Sequence, residues 1–146
     1  MKVHRWKTDA PAKTIRIGRI IGRWAKIAAR RKTVVIFLEG EMGSGKTTFA
    51  SGIISGAGIN TSKFAGSPSY TIANQYEGDL RINHIDFWRY NLQQYNKDMI
   101  LEEFSNYLDD DITIIEWGKQ LEKSIDGYIR IKISGDKKRT VVLTAG

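Results

Sequence analysis

From Lys13 to Arg30 the apolar residues Ile17, Ile20, Ile21, Trp24, Ile27 and Ala28 recur at spacings of three and four. That spacing predicts one apolar stripe along a helix. Arg16, Arg19, Arg23, Lys26 and Arg30 form a second, basic stripe beside it. The pattern then changes. TVVIFL (Thr33–Leu38) is an unbroken β-branched and aromatic run, the signature of a strand buried on both faces of a parallel sheet. A glycine-rich loop follows, then a helix predicted from about Gly45 to Ser55 and stopped by Gly56-Ala57-Gly58. SYTIANQY (Ser69–Tyr76) and RINHIDF (Arg81–Phe87) alternate like two strands joined by a turn at Glu77-Gly78-Asp79. Asp98–Leu108, with Met99, Leu101, Phe104 and Leu108 apolar, reads as a helix, and ITII (Ile112–Ile115) as a second buried strand that ends at Glu116-Trp117. Tyr128–Ile133 and Thr140–Leu143 read as a closing hairpin around Ser134-Gly135-Asp136. Residues 1–12 look irregular, with a turn at Asp9-Ala10-Pro11.

These elements, with the loop GEMGSGKTTF (Gly40–Phe49) between a buried strand and a helix, predict an α/β protein of the P-loop NTPase class. A mostly parallel central sheet should carry antiparallel hairpins at its edges and helices on both faces. No repeat, low-complexity tract or linker divides the 146 residues, so a single domain over residues 1–146 is expected. Composition narrows this little, with 41% hydrophobic and 27% charged residues. No apolar run approaches the roughly 18 residues of a membrane span, and no signal peptide is evident at the N-terminus. Cysteine is absent, which excludes disulfides and thiolate metal sites. With a triphosphate loop, that absence points to the cytoplasm.

Charge changes the picture more. The net charge is +7, but residues 1–32 carry +10 and the remainder −3. A basic arm on a slightly acidic body suggests an anionic partner. The stripe is compatible with a solvated face, with nucleic-acid phosphates, with an acidic protein surface or with an anionic membrane.

The chemistry is concentrated in GEMGSGKTTF (Gly40–Phe49), which matches G-x-x-x-x-G-K-[ST] at Gly40, Gly45, Lys46 and Thr47. A strand before it and a helix after it are the context this motif needs. The glycines would let backbone N–H groups turn inward and surround the phosphates at a helix N-terminus. Lys46 would reach the β/γ-phosphates, and the Thr47 hydroxyl would ligate Mg²⁺. Guanine readers of this class use Asn-Lys-x-Asp. The Asn96-Lys97 pair here has Met99 where the carboxylate would stand, and Met99 cannot accept guanine's N–H bonds. ATP is therefore favoured over GTP. Two carboxylates, Asp86 and Glu116, sit at the ends of predicted strands, where open α/β sheets bind ligands. Either could hold Mg²⁺ or serve in phosphoryl transfer, or be a cap or ion-pair partner. His84 reads as a hydrogen-bonded or half-buried histidine rather than a catalyst. Trp117 could stack on a base, but packing or partner contact is the simpler reading.

The segments GEMGSGKTTF, SPSYTIANQYEG, HIDFWRY and IIEW occur in an order and spacing that resembles the TsaE (YjeE) family of tRNA threonylcarbamoyladenosine biosynthesis. The likeness runs from Thr14 to Arg139. It implies a protein that binds ATP and Mg²⁺, is a weak ATPase alone, and acts with partners of the TsaD and TsaB type. Those partners place a threonylcarbamoyl group on an adenosine next to the tRNA anticodon. It implies that Gly43–Thr48 hold the phosphates, that Thr47 and Glu116 ligate Mg²⁺ with Asp86 in support, and that Ser67–Tyr70 form a switch-like loop. Thr14 and Arg139 match family positions near the nucleotide. The chain departs from the family pattern at Ser69, at Trp88, and at Gly118-Lys119, where Pro and an acid are usual. Two other functions share the loop. A small-molecule kinase would need an acceptor site and lid within the roughly 20 residues between Phe87 and Leu108. A nucleotide-gated binding module would hydrolyse only incidentally.

Overall fold

The structure, a computed structural model, describes residues 3–65, 73–88 and 97–146. Ser67–Tyr70 and Asn96, singled out above, and Arg89 of the HIDFWRY segment lie outside the described residues. In chain order the elements are β1 (Val3–Thr8), α1 (Pro11–Ala28), β2 (Val34–Glu39), α2 (Lys46–Gly56), β3 (Ala73–Glu77), β4 (Arg81–Asp86), α3 (Lys97–Leu108), β5 (Ile112–Glu116), β6 (Tyr128–Gly135) and β7 (Arg139–Ala145). Short 3-10 turns occupy Thr61–Lys63 and Lys119–Ser124.

The seven strands form one sheet in the order β1-β7-β6-β2-β5-β4-β3. Its centre, β6-β2-β5-β4, is parallel. The β3–β4 and β6–β7 hairpins add antiparallel edges, and β1 adds a third antiparallel strand against β7. The mostly parallel sheet with antiparallel edges is thus present.

β1 corrects the expectation of irregular structure in residues 1–12. Its residues Val3, His4 and Arg5 are exposed, and Arg5 and Lys7 alternate with Trp6 and Thr8. Charged side chains of this kind guard sheet edges, and they hide the apolar alternation that marks a strand. Its register is set by β7, at the far end of the chain. Pro11, read as part of a turn, is the first helical residue of α1, where its missing N–H costs nothing.

Side chains alternate across the sheet and build a core on each face. Ile36 and Leu38 of β2, Ile112 and Ile114 of β5 and Ile131 of β6 face α1 and α2. Val35, Phe37, Ile85 and Ile115 face α3 and the Lys119–Ser124 turn, through Phe104 and Leu121. Helical cover on both faces therefore holds.

The buried face of α1 differs from the predicted apolar stripe. Thr14, Ile17, Gly18, Ile21, Gly22 and Ala25 are buried, whereas Ile20 is 48%, Trp24 47% and Ile27 63% exposed. The reason lies in two pairs of glycines, Gly18 and Gly22 on α1 and Gly52 and Gly56 on α2. A Cβ at Gly22 would stand 2.1 Å from the Ile53 carbonyl oxygen, and one at Gly56 2.2 Å from that of Arg19. Backbones this close leave room for no side chain, so α1 turns its glycine row toward α2 and carries the larger residues outward. In α3, Met99 is likewise exposed while Phe104 is buried.

Candidate functional site

The glycine-rich loop joins the C-terminal end of β2 to the start of α2. Gly43 (φ 80°) and Gly45 (φ 102°) adopt left-handed conformations that favour glycine. Gly45 caps α2 without a side-chain hydrogen bond. The first N–H groups of the helix therefore keep their donors and their positive dipole for an anion.

The parallel register brings the two carboxylates beside this loop. Leu38 pairs with Glu116, and Glu116 with Asp86, so three strands end together. A cavity of about 450 Å³ opens there. Its walls include Gly43, Gly45, Lys46, Thr47, Thr48, Asp86, Glu116 and Arg139, eight of the residues the sequence nominated. Pro11, Met42, Trp88 and Trp117 join them.

Two nominated residues do not line this cavity. Ser44 is buried on the other side of the loop, where its Oγ has no hydrogen-bond partner among the described residues. Thr14 lies under Gly45, but its hydroxyl is 3.1 Å from that of Thr8 and donates to the Ala10 carbonyl at 3.4 Å. It is only 1% exposed, so its polar atom faces α1 and β1 rather than the cavity. Arg139, at the start of β7, donates to the Gly43 carbonyl at 3.2 Å and to that of Asp136 at 3.0 Å. Its guanidinium sits over Gly45, where any Cβ would collide with it.

Lys46 is the buried cation of the site. Its Nζ donates to the Gly40 carbonyl at 2.5 Å and lies 4.0 Å from the centre of the Trp117 ring. The ammonium is thus held by a carbonyl dipole and an aromatic face. Burial pushes its pKa below the ordinary value, against the opposing pull of Glu116, Asp86 and Glu41. Burial pushes the Asp86 carboxyl above the usual carboxylate range, opposed first by the Trp88 N–H that it accepts at 2.9 Å. Burial thus disfavours the charged form of both groups, a cost that a ligand of opposite or bridging charge would offset.

Two arrangements escaped the sequence reading. His84 Nε2 lies 2.5 Å from Glu116 Oε2, with the side chains 0% and 2% exposed. The bland assignment of His84 as a buried, bonded histidine is correct, but its partner is a candidate site residue. A signal existed. His84 and Asp86 are two apart on one strand, hence on the same face. The second arrangement is Trp117, whose φ of 58° is left-handed for a non-glycine residue. That turn aims its ring over Lys46 and against Trp88, 4.6 Å away. Packing is therefore its role in this state. Lys119 reaches Glu39 at 3.5 Å on the surface.

The family model described as threonylcarbamoyl adenosine biosynthesis protein TsaE matches residues 8–141. The chain belongs to the TsaE family. It is 32% identical over 149 residues to the tRNA threonylcarbamoyladenosine biosynthesis protein TsaE of Bacillus subtilis, covering 99% of this chain and 87% of the relative. It is 27% identical to the protein of the same name from Treponema pallidum, over 82% of this chain and 90% of that one. A crystal structure of Bacillus subtilis YdiB superimposes with a TM-score of 0.68 at 28% identity, covering 99% of this chain and 86% of that one. The resemblance drawn from the sequence and the P-loop NTPase fold both hold. The TsaE match assigns the chain to tRNA threonylcarbamoyladenosine biosynthesis, and the fold suits nucleotide binding.

Proposed function

We propose that this TsaE-family chain is a Mg²⁺-dependent ATPase, one P-loop ATPase domain over residues 1–146, that serves tRNA threonylcarbamoyl modification together with TsaD- and TsaB-type proteins. It works in the cytoplasm and meets tRNA indirectly, through those partners. The observation that carries this reading is the convergence of Lys46, Thr47, Asp86 and Glu116 on one cavity at the C-terminal ends of β2, β4 and β5. The family's process favours an ATPase that acts on a partner complex over a small-molecule kinase. No helix among the described residues is long and apolar enough to cross a membrane.

The residues fit the proposed ligands. Among the described residues no three His, Cys, Asp or Glu side chains group closely enough to hold a metal alone. A hydroxyl and two carboxylates, completed by water and phosphate oxygens, are nevertheless the hard donors that Mg²⁺ takes. Thr47, Glu116 and Asp86 would supply them. Bound Mg²⁺ would neutralise charge on the phosphate oxygens.

The chain's own groups do the rest. Gly43–Thr48 present backbone N–H groups and the α2 dipole to the phosphates. Lys46 leaves the Gly40 carbonyl for a phosphate oxygen, a stronger charge-assisted acceptor. Glu116 is oriented by His84. Asp86, level with Glu116 at the strand ends, is placed to orient an attacking water. Arg139 closes over Gly45 beside the nucleotide.

The test is calorimetric titration with ATP-Mg²⁺, together with phosphate release in the presence of the partner proteins, for the parent, Lys46→Ala and Glu116→Ala. Lys46→Ala should remain folded and lose nucleotide binding. Glu116→Ala should bind but hydrolyse about 10²-fold more slowly, the scale for removing one charge-stabilising group. Parent-level binding by folded Lys46→Ala, or parent-level turnover by Glu116→Ala, would sink the assignment.

A further inference from the structure

A second cavity, about 530 Å³, opens at the opposite end of the sheet from the glycine-rich loop. Trp6, Ile20, Trp24, Val34, Tyr128 and Leu143 are among the residues that line it. Its origin is geometric. Seven strands at about 4.8 Å spacing make a sheet roughly 29 Å wide. Two helices of about 10 Å diameter cover some 20 Å of that. The glycine rows draw α1 against α2, so the β1–β7 edge is only partly covered on this face, with Trp6 and Leu143 half-buried. The same displacement leaves Ile20, Trp24 and Ile27 in solvent as one continuous strip at spacings of four and three.

The surface beside the strip is basic. Arg16 and Arg23 stand seven residues apart on α1 next to Ile20, Trp24 and Ile27, and Arg30 follows in the turn after the helix. All three are exposed, and none makes an ion pair among the described residues. Lys32 lines the groove itself, with its Nζ 3.2 Å from where a Cβ on Gly127 would lie. Nearby acids do little to offset this. Asp9 is bound to Lys13, Asp79 to Lys26, and Asp126 stands alone beside Gly127.

We infer that this groove docks an acidic amphipathic segment of a partner protein. Its apolar side chains would enter between α1 and the β1–β7 edge, and its carboxylates would meet Arg16, Arg23 and Arg30. The occupant follows from the pairing of features. A polynucleotide would satisfy the arginines and leave the apolar groove unfilled. A bilayer would need a convex apolar face, and this one is concave. An acidic amphipathic helix satisfies both the groove and the basic surface beside it. The inference is independent of the nucleotide reading, because no residue placed in the phosphate site lines the groove.

The test uses the full chain and a labelled peptide of about 18 residues, or five turns, with Leu at i, i+3, i+4 and i+7 and Glu elsewhere. Controls are the same composition scrambled, a Lys-for-Glu version, bulk tRNA and vesicles of anionic phospholipid. Peptide anisotropy and tryptophan emission are read at rising salt. The acidic amphipathic peptide should bind and shift the emission to the blue, and binding should weaken with salt. Trp24→Ala, or Arg16→Glu with Arg23→Glu, should raise its Kd at least tenfold. The arginine variant should keep the parent's melting temperature, since both side chains are exposed, and the variant at Trp24, which is 47% exposed, is read at a temperature where circular dichroism shows it folded. The proposal is overturned if the scrambled peptide binds as well, if the acidic peptide does not bind, or if the folded variants bind it at parent affinity. It is equally overturned if tRNA or vesicles alone bind in a manner that depends on Trp24 and Arg23.

Discussion

Replacing Gly22 by alanine tests what holds the phosphate-loop helix in place. On an exposed helical face this change would stabilise the protein by about 1 kcal/mol, because alanine loses less backbone entropy. At Gly22 the new Cβ meets the Ile53 carbonyl oxygen at 2.1 Å, the Ile53 carbonyl carbon at 2.9 Å and the Ala57 nitrogen at 2.9 Å. All three are backbone atoms of α2 or its cap, and none can rotate away. Relief requires the helices to part by about 1 Å or more before ordinary contact distances return. Parting them loosens the seam between Ile17, Ile21 and Ala25 on one side and Phe49 and Ile53 on the other. Overpacking usually costs 1–3 kcal/mol, and a clash with backbone belongs at the top of that range. After the gain in helix propensity, a net loss of about 2 kcal/mol is expected. For a chain near 150 residues this lowers Tm by about 4–8 °C. Thermal unfolding followed by far-ultraviolet circular dichroism, with a urea titration to confirm an unchanged m-value, measures it. A Tm equal to or above the parent's would refute the account of α1–α2 packing.

Two further predictions concern the site. Burial raises the Asp86 pKa in the folded chain, so the folded state holds the proton more tightly than the unfolded state. Asp86 therefore favours folding most when protonated, and its contribution falls as pH rises from the unfolded carboxyl value through the folded one. Asp86→Asn keeps an acceptor for the Trp88 N–H, so it should raise the neutral-pH Tm of the ligand-free protein and flatten the acid side of the stability curve. A lower Tm at neutral pH would contradict this. His84→Ala takes the His84 partner from a carboxylate that is 2% exposed, and losing one hydrogen bond to such a buried group costs about 2–3 kcal/mol. A Tm drop of about 4 °C or more should follow. His84→Gln, which can still donate, should recover part of it. If both variants melt with the parent, the pair contributes nothing.

Much of the fold was legible because its elements are local. TVVIFL, ITII and the glycine-rich loop announce two buried strands and a phosphate-binding turn through composition and period alone. Seven of the eight cavity residues were legible for a related reason, and Arg139 through the family resemblance alone. A loop motif after a strand, and carboxylates at strand ends, meet wherever parallel strands stand in register. What tertiary structure decided is set by contacts distant in sequence. β1 became a strand only because β7 offered it an edge. Helical period located an apolar stripe on α1 but could not say which side would be buried. Backbone contact with Gly52 and Gly56 of α2 chose the glycine row and left Ile20, Trp24 and Ile27 outside. His84 found Glu116 on a neighbouring strand, and Lys46 found Trp117 through a left-handed turn that no propensity foretells. Period and propensity act over a few residues, whereas burial and pairing depend on where other segments come to lie.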